Sequence, residues 1–341
     1  MSHAPLLLVG AHGSPYSRKL RALLRYRRIP FRWIVRGSAE DRGVPDVPVA
    51  LIPVLVFPTG DGRGEAGIDS TPLIRRLEAA FPGRSAIPPD PALALLDALL
   101  EDYADEWVTK AMFHYRWAFP PDVDRASRLL PLDRDLTIPP EALARFGAQF
   151  AARQIGRLGV VGSNQTTAPV IEASYRRLLG LLDALLRERA FLFGGRPASA
   201  DFALFGQLSQ LAAFDPTSAA IALAEAPRVV AWVQHADDLS GSEVGDADWL
   251  AADALGAPLR ALLEEVGRVY APFVLANAEA LARGDERVSC TIDGRSWQQR
   301  PFPYQSKCLR ALREHRAALA PGDRARADAL LAGTGCEVLF A

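Results

Sequence analysis

The chain has 341 residues, of which 49% are hydrophobic and 23% charged, with a formal net charge of -1. That length exceeds one ordinary core and predicts two domains with an appended piece. The near-neutral balance gives no electrostatic basis for nucleic acid or an anionic membrane as partner, and no apolar run approaches the roughly 20 residues that span a bilayer, so a cytoplasmic protein is expected.

Leu6-Leu7-Leu8-Val9 reads as a buried strand, too short for a signal-peptide core. Leu20, Leu23 and Leu24 mark one face of a helix ending near Arg28. Between them runs Ala11-His12-Gly13-Ser14-Pro15-Tyr16-Ser17, with Ser14 at the N-cap position and Pro15 at the first helical position. A strand that feeds a helix through a hydroxyl-bearing turn favours an anion at the helix start. The plain alternative is that Ser14 is only a cap. Phe31-Arg32-Trp33-Ile34-Val35 alternates as a second strand, so a parallel pair with a right-handed crossover is expected. Residues 36–48 read as irregular. Leu51-Ile52-Pro53-Val54-Leu55-Val56-Phe57 is a strand opened by Pro53, a candidate cis proline. Thr59-Gly60-Asp61-Gly62 reads as a turn, with 65–68 returning antiparallel. Asp69-Ser70-Thr71-Pro72 then opens a helix with Ser70 as N-cap and Leu73, Ile74, Leu77 and Phe81 inside.

Pro88-Pro89-Asp90-Pro91 reads as a linker, and Leu93, Leu96, Leu99, Leu100 and Tyr103 form one helical stripe that runs on through Trp107, Met112 and Tyr115 until Pro120-Pro121 stops it. Glu101, Asp102, Asp105 and Glu106 on this helix read as a solvated face. Further helices are expected from 140 to about 158 and over 170–189, and Pro227, Val230 and Trp232 belong to a later one. Beyond a polar loop at 242–248, residues 249–281 read as helix broken near Pro258 and Pro272. Residues 287–298 read as a hairpin around Asp293-Gly294, and 307–319 and 323–331 as short helices. The spacing of Cys290, Cys308 and Cys336 fits neither a zinc site nor a disulfide framework, so reduced thiols and no metal are expected.

The succession over 5–82 of strand, Ser-Pro-Tyr-Ser helix, strand, Ile-Pro-Val-Leu strand, hairpin and Asp-Ser helix resembles the thioredoxin-like domain of the glutathione transferase superfamily. Phe191-Leu192-Phe193-Gly194-Gly195-Arg196-Pro197-Ala198-Ser199-Ala200-Asp201-Phe202 is similar to that family's second-domain signature, a Gly-rich turn leading into a central helix with a buried Asp. Ala198 departs from it where Ser or Thr is usual, so Ser199 or Asp201 must serve the helix start. The resemblance covers about residues 1–240. It implies an α+β thioredoxin-like βαβ-ββα domain at 1–84 that binds glutathione and an all-α helical-bundle substrate domain at 92–240. The rest, 241–341, is expected to be an extension packed on the helical domain, and the whole a homodimer.

The implied chemistry is activation of the glutathione thiol for attack on a small hydrophobic electrophile. A free thiol ionises near pH 8.5, and lowering that by about 2 units needs about 2.7 kcal/mol. One hydrogen bond to the thiolate supplies roughly 1.5–3 kcal/mol and a helix N-terminus roughly 0.3–1 more. Three hydroxyls compete for the donor role: Ser14, favoured by its cap position, then Ser17 and Tyr16. Ser-Pro-Tyr-Ser also resembles a Cys-Pro-Tyr-Cys redox motif with both sulfurs replaced, and oxygen forms no mixed disulfide, which excludes thiol–disulfide exchange there. By the same resemblance Asp69 would accept the γ-glutamyl ammonium and Ser70 would take its carboxylate. Ile52, before Pro53, would pair with the cysteinyl backbone. Tyr103, Trp107, His114 and Tyr115 are the candidates for the hydrophobic pocket, against a reading as aromatic core; Trp117 is considered with them, and His12 reads as a loop residue. The alternative function is a binding or scaffold protein without turnover; a third is a peroxidase using bound glutathione.

Overall fold

The computed structural model describes residues 4–60 and 64–341; part of the expected turn, at Asp61 and Gly62, lies outside the described residues. The first strand, β1 (Leu6–Gly10), leads into α1 (Pro15–Tyr26) and then β2 (Phe31–Val35). β1 and β2 run parallel with Leu6 opposite Phe31, as the crossover requires. The Ile52–Pro53 peptide is cis, and β3 (Val54–Phe57) starts at the next residue, antiparallel to β1 and to β4 (Glu65–Ile68). The sheet order is β2-β1-β3-β4. With α2 (Ser70–Ala80) closing the unit, this is the βαβ-ββα thioredoxin-like arrangement. The helix cap differs from expectation by one residue: Asp69 holds the N-cap position and Ser70 is already helical.

The helical part opens with α3 (Pro91–Tyr103), capped by Asp90 accepting from Ala92 N at 2.8 Å. A π-helical turn at Ala104–Val108 joins it to α4 (Thr109–Ala118), and α5 (Pro120–Leu129), α6 (Pro140–Ile155), α7 (Ala168–Leu185), α8 (Ser199–Leu211), α9 (Pro216–Glu225) and α10 (Pro227–Ala236) follow. The helices α5 and α9 were not foreseen. Pro120-Pro121 does stop α4, but a proline at the first helical position also starts a helix, and both new helices begin that way. Every residue of α8 is buried. Gly206 lets it meet α1 backbone to backbone, since a Cβ there would lie 2.5 Å from the Pro15 carbonyl oxygen. The missing Ser or Thr at Ala198 is offset by Asp201 alone, whose carboxylate accepts from Leu192 N at 3.0 Å and Ala198 N at 2.9 Å.

Residues beyond 240 form α11 (Gly256–Glu265), a second π turn at Val266–Tyr270, α12 (Ala271–Arg283), the hairpin β5 (Val288–Ile292) and β6 (Arg295–Gln299), α13 (Pro303–Ala318) and α14 (Pro321–Leu331). Asp293 and Gly294 turn the hairpin at φ 52 and 71. In place of the expected break near Pro258, α11 starts at Gly256, and the break near Pro272 is the π turn before α12. The first of these helices packs on α7, while α13 and α14 pack on α3. Trp297 of the hairpin lies 5.1 Å from Trp107 and 5.9 Å from Phe273, ring centre to ring centre. All three cysteines are free thiols. Among the described residues no helix is long and apolar enough to cross a membrane.

Candidate functional site

The start of α1 carries the three candidate hydroxyls, and their surroundings separate them. Ser14 caps the helix: its Oγ accepts the Ser17 N–H at 3.3 Å. Accepting leaves its own O–H proton to give, and the residue is partly exposed. Ser17 is sealed at 0% exposure, its Oγ accepting from Ala11 N at 3.3 Å and lying 2.5 Å from where a Cβ on Gly10 would be. The Tyr16 phenol donates to the Asp105 carbonyl at 2.9 Å, with Thr109 Oγ1 at 3.3 Å. Burial, then Glu106 and Asp105, push Tyr16 well above its ordinary ionisation.

The turn before Ser14 is held from the helical part. Arg116 donates to the Gly13 carbonyl at 2.7 Å while its other nitrogens bind Asp215 at 2.8 and 3.0 Å and Gln210 at 2.7 Å. Gln210 Nε2 donates to the His12 carbonyl at 3.2 Å, and His12 N donates to Asp133 at 3.0 Å. His12 is thus a loop residue clamped by an acid. A Cβ on Gly13 would lie 2.3 Å from a Leu130 methyl. Arg116, Gln210 and Asp215 escaped the sequence reading because a buried ion pair between two helices leaves no periodic trace.

Asp69 sits at φ 76 and ψ 113, and its carboxylate makes no cap bond to its own helix. It accepts instead the hydroxyl proton of Tyr304, from the first turn of α13. Ser70 is 5% exposed, Pro53 is buried and Ile52 half-buried.

The acidic residues of α3 and its π turn are not a solvated face. Asp97, Glu101, Asp105 and Glu106 are all buried. Asp97, Glu101 and Asp105 recur four residues apart on one helical face, and Lys19 of α1 and Ser199 of α8 lie against that face. Lys19 reaches into the group, 2.7 Å from Glu101 and 2.6 Å from Asp105. Burial works against the charge of Lys19, yet the two carboxylates hold its pKa above the ordinary value. Glu101 also meets Arg75 at 3.1 Å and Thr71 at 2.9 Å. Burial acts against its charge too, but Lys19 and Arg75 hold it down to about 2. The rest go the other way: burial lifts Asp105 to about 6 against the pull of Lys19, and lifts Asp102 to about 7 and Glu106 to about 8.

Asp97 completes this group. It accepts from Ala200 N at 2.8 Å and meets the Ser199 hydroxyl at 2.7 Å, which lies 3.0 Å from Glu101 as well. One hydroxyl proton cannot serve both carboxylates. Burial, then Glu101, push Asp97 up to about 7, and a protonated Asp97 closes the circuit. A carboxyl whose folded pKa is raised contributes stability below its unfolded value of about 3.9, and that contribution is lost as pH rises through about 7. Asp97→Asn supplies a permanent donor in place of the proton. Thermal melts from pH 4 to 8 should therefore show a flatter profile for the variant, with its best standing relative to the parent at the alkaline end. An unchanged slope would mean that Asp97 is ionised in the fold.

Tyr103, Trp107, His114 and Tyr115 are 1%, 3%, 4% and 1% exposed. Trp107 donates to Ser174 at 2.8 Å and is covered by Trp297, while His114 meets Ser163 at 2.8 Å and Glu172 at 3.3 Å. Tyr103 packs edge-on to Tyr270 and Tyr115 to Tyr175. The cavity that Tyr103 and Trp107 share measures about 10 Å³, room for about one water. These rings, and Trp117 at 4% exposed, pack as core because residues beyond 240 and the neighbouring helices cover them. Among the described residues no group of three or more His, Cys, Asp or Glu side chains could hold a metal ion.

Two family models match the chain. One, described as the glutathione S-transferase N-terminal domain, matches residues 8–85; the other, the glutathione S-transferase C-terminal domain, matches 140–235. Solved structures with a similar outline include a glutathione S-transferase of Methylobacterium radiotolerans in complex with glutathione sulfonate, at 19% identity over 71% of this chain and 98% of that one, TM-score 0.42. A Tau class glutathione S-transferase from mango, Mangifera indica, stands at 17% identity over 74% and 96%, TM-score 0.42. FzlA from C. crescentus stands at 20% identity over 74% and 100%, TM-score 0.42. No curated protein matches the chain. The two family models fall in order on the sheet-bearing and the helical parts, and the chain belongs to the glutathione S-transferase superfamily.

Proposed function

We infer that the protein binds glutathione at the start of α1 and activates its thiol for attack on a small hydrophobic electrophile. In this reading residues 1–84 form the glutathione-binding unit, 92–240 the helical substrate unit and 241–341 an extension packed on it, within a homodimer in the cytoplasm. Asp69 accepts the γ-glutamyl ammonium, Ser70 and the start of α2 take its carboxylate, and the Ile52 backbone beside Pro53 pairs with the cysteinyl part. The observation that carries the reading is the state of the three hydroxyls: Ser14 accepts from its helix and keeps a proton to give, Tyr16 has spent its own on Asp105, and Ser17 is sealed. Pro15 has no N–H, so Tyr16 supplies the first amide of the turn, and with the Ser14 hydroxyl it faces a sulfur anion. The electrophile would enter beside Ser14, where Leu130 lies against Gly13.

The experiment is thermal stability with and without glutathione. A single bound ligand at 100 times its Kd stabilises by about 2.7 kcal/mol. A rise in melting temperature with millimolar glutathione supports the reading, and an unmoved melt at that concentration overturns it. A second reading, glutathione binding without turnover, is favoured by the burial of Tyr103, Trp107, His114 and Tyr115 in the core, away from any co-substrate. The same melt with a rise, followed by no conjugation of a panel of aryl halides and epoxides, would select it.

A further inference from the structure

We propose that Tyr304, on the segment beyond 240, is a positioning residue for Asp69, and that the first turn of α13 forms the outer wall of the γ-glutamyl subsite and selects ligands with a free α-ammonium. The inference deepens the glutathione reading and rests on it.

The contact joins residues 235 positions apart. It is no accident of a loose tail, because the start of α13 is fixed from below. Asn277, at 0% exposure, reads the Phe302 backbone at both polar groups: its Nδ2 donates to the Phe302 carbonyl at 3.1 Å and its Oδ1 accepts the Phe302 N–H at 2.8 Å. Pro303 follows at the first helical position, and Tyr304 is next. One face of α13 then lies along the acidic π turn and its neighbours. Tyr304 hydrogen-bonds Asp69, and Gln305 and Cys308 on the same helix act against the rise of Glu106 and Asp102. Gln305 is 4% exposed and its Oε1 has no hydrogen-bond partner among the described residues, an acceptor left open on this wall.

A carboxylate that is to meet an ammonium must present an oxygen without first being ordered. The Asp69 backbone, at φ 76, holds the side chain away from its own helix. The phenol of Tyr304 takes Oδ2, and in this proposal the ligand ammonium takes Oδ1. The ordering is then done before the ligand arrives, which raises affinity without a new contact to it. The same ring stands outside the ammonium position, so an N-acyl group on the ligand would meet it, whereas a hydrogen-bearing nitrogen would not. Tyr304 touches Asp69 and not the reacting sulfur, so its effect belongs to binding and not to the chemical step.

The test is calorimetric binding of glutathione, its des-amino analogue and its N-acetyl derivative to the parent protein, Tyr304→Phe, Tyr304→Ala, Asp69→Asn and the Tyr304→Phe, Asp69→Asn double variant, with steady-state conjugation where turnover is found. Tyr304→Phe should weaken glutathione about tenfold, raising KM and leaving kcat unchanged. It should leave the des-amino analogue unaffected, and the effect should vanish in the Asp69→Asn background, since Tyr304 acts through that carboxylate. Tyr304→Ala should admit the N-acetyl derivative that the parent rejects. Glutathione bound as tightly by Tyr304→Phe as by the parent, or a tenfold loss that persists without Asp69, overturns the inference. A parent protein that binds no glutathione overturns the function reading instead, which keeps the two failures apart.

Discussion

Replacing Lys19 with methionine is expected to lower the free energy of unfolding by about 3–5 kcal/mol, the cost of breaking one side of a buried charge group. Lys19 is 1% exposed at its side chain and lies within salt-bridge distance of both Glu101 and Asp105. Methionine keeps the volume of the stem, so the loss is electrostatic. Without the amine, Glu101 retains Arg75 and Thr71, but among the described residues Asp105 keeps no cation, and one of its oxygens already lacks a partner there. Acidification carries the second half of the prediction. In the parent, Glu101 is held down to about 2, so its contribution is present above an unfolded value of about 4.3 and is lost as pH falls through about 2. In the variant Asp105 loses the amine that opposes its rise and moves further above its unfolded value. Its contribution is then greatest in acid and is lost as pH rises. Denaturant unfolding at pH 4 and 8 should show the gap between the proteins widening toward pH 8. The triple replacement Lys19→Met, Glu101→Gln, Asp105→Asn should recover most of the loss, because no uncompensated charge remains. A cost below about 1 kcal/mol with parallel pH profiles would mean that water reaches these groups.

Ser14→Ala is expected to lower kcat/KM about 10- to 100-fold at pH 7 while glutathione affinity stays within about threefold. The hydroxyl is proposed to donate only to the charged form of the thiol, so removing it raises the thiol pKa without removing the contacts that hold the tripeptide. The variant also loses a helix cap, worth about 1 kcal/mol, and its melting temperature will fall slightly. Ser14→Thr, which keeps both the cap and the donor, separates the two effects by retaining activity. Ser17→Ala and Tyr16→Phe are expected to leave the bound thiol's ionisation in place. If Ser17→Ala abolishes thiolate formation and Ser14→Ala does not, the donor has been misassigned.

The order of elements over the first eighty residues was legible because each boundary carries its own chemistry. Ser14-Pro15 starts α1, Pro53 precedes β3, and an Asp-Ser step opens α2. The hairpin at Asp293-Gly294 was legible for the same reason. What was lost lies in distance. A stripe counted at 3.6 residues per turn places Glu101 and Asp105 toward water, and no local pattern says that α1 and α8 cover that face. Once inside, Glu101 and Asp105 are supported by Lys19, from an element about eighty residues earlier, while burial lifts Glu106 to about 8. The aromatic residues of α3 and α4 have the composition of a pocket and the packing of a core, and Trp297, almost two hundred residues later, makes the difference. The Tyr304–Asp69 contact is of the same kind, since no local pattern in Phe302-Pro303-Tyr304 names its partner.

The most direct test of the account is an ultraviolet titration of the thiolate of glutathione bound to the parent protein. If a Ser14 hydroxyl and the start of α1 face the sulfur, the bound thiol should ionise about 2 pH units below the free value of about 8.5, so that most of it is thiolate at pH 7. A bound thiol that still ionises near 8.5 would contradict the proposed role of Ser14 and leave a protein that holds glutathione without activating it.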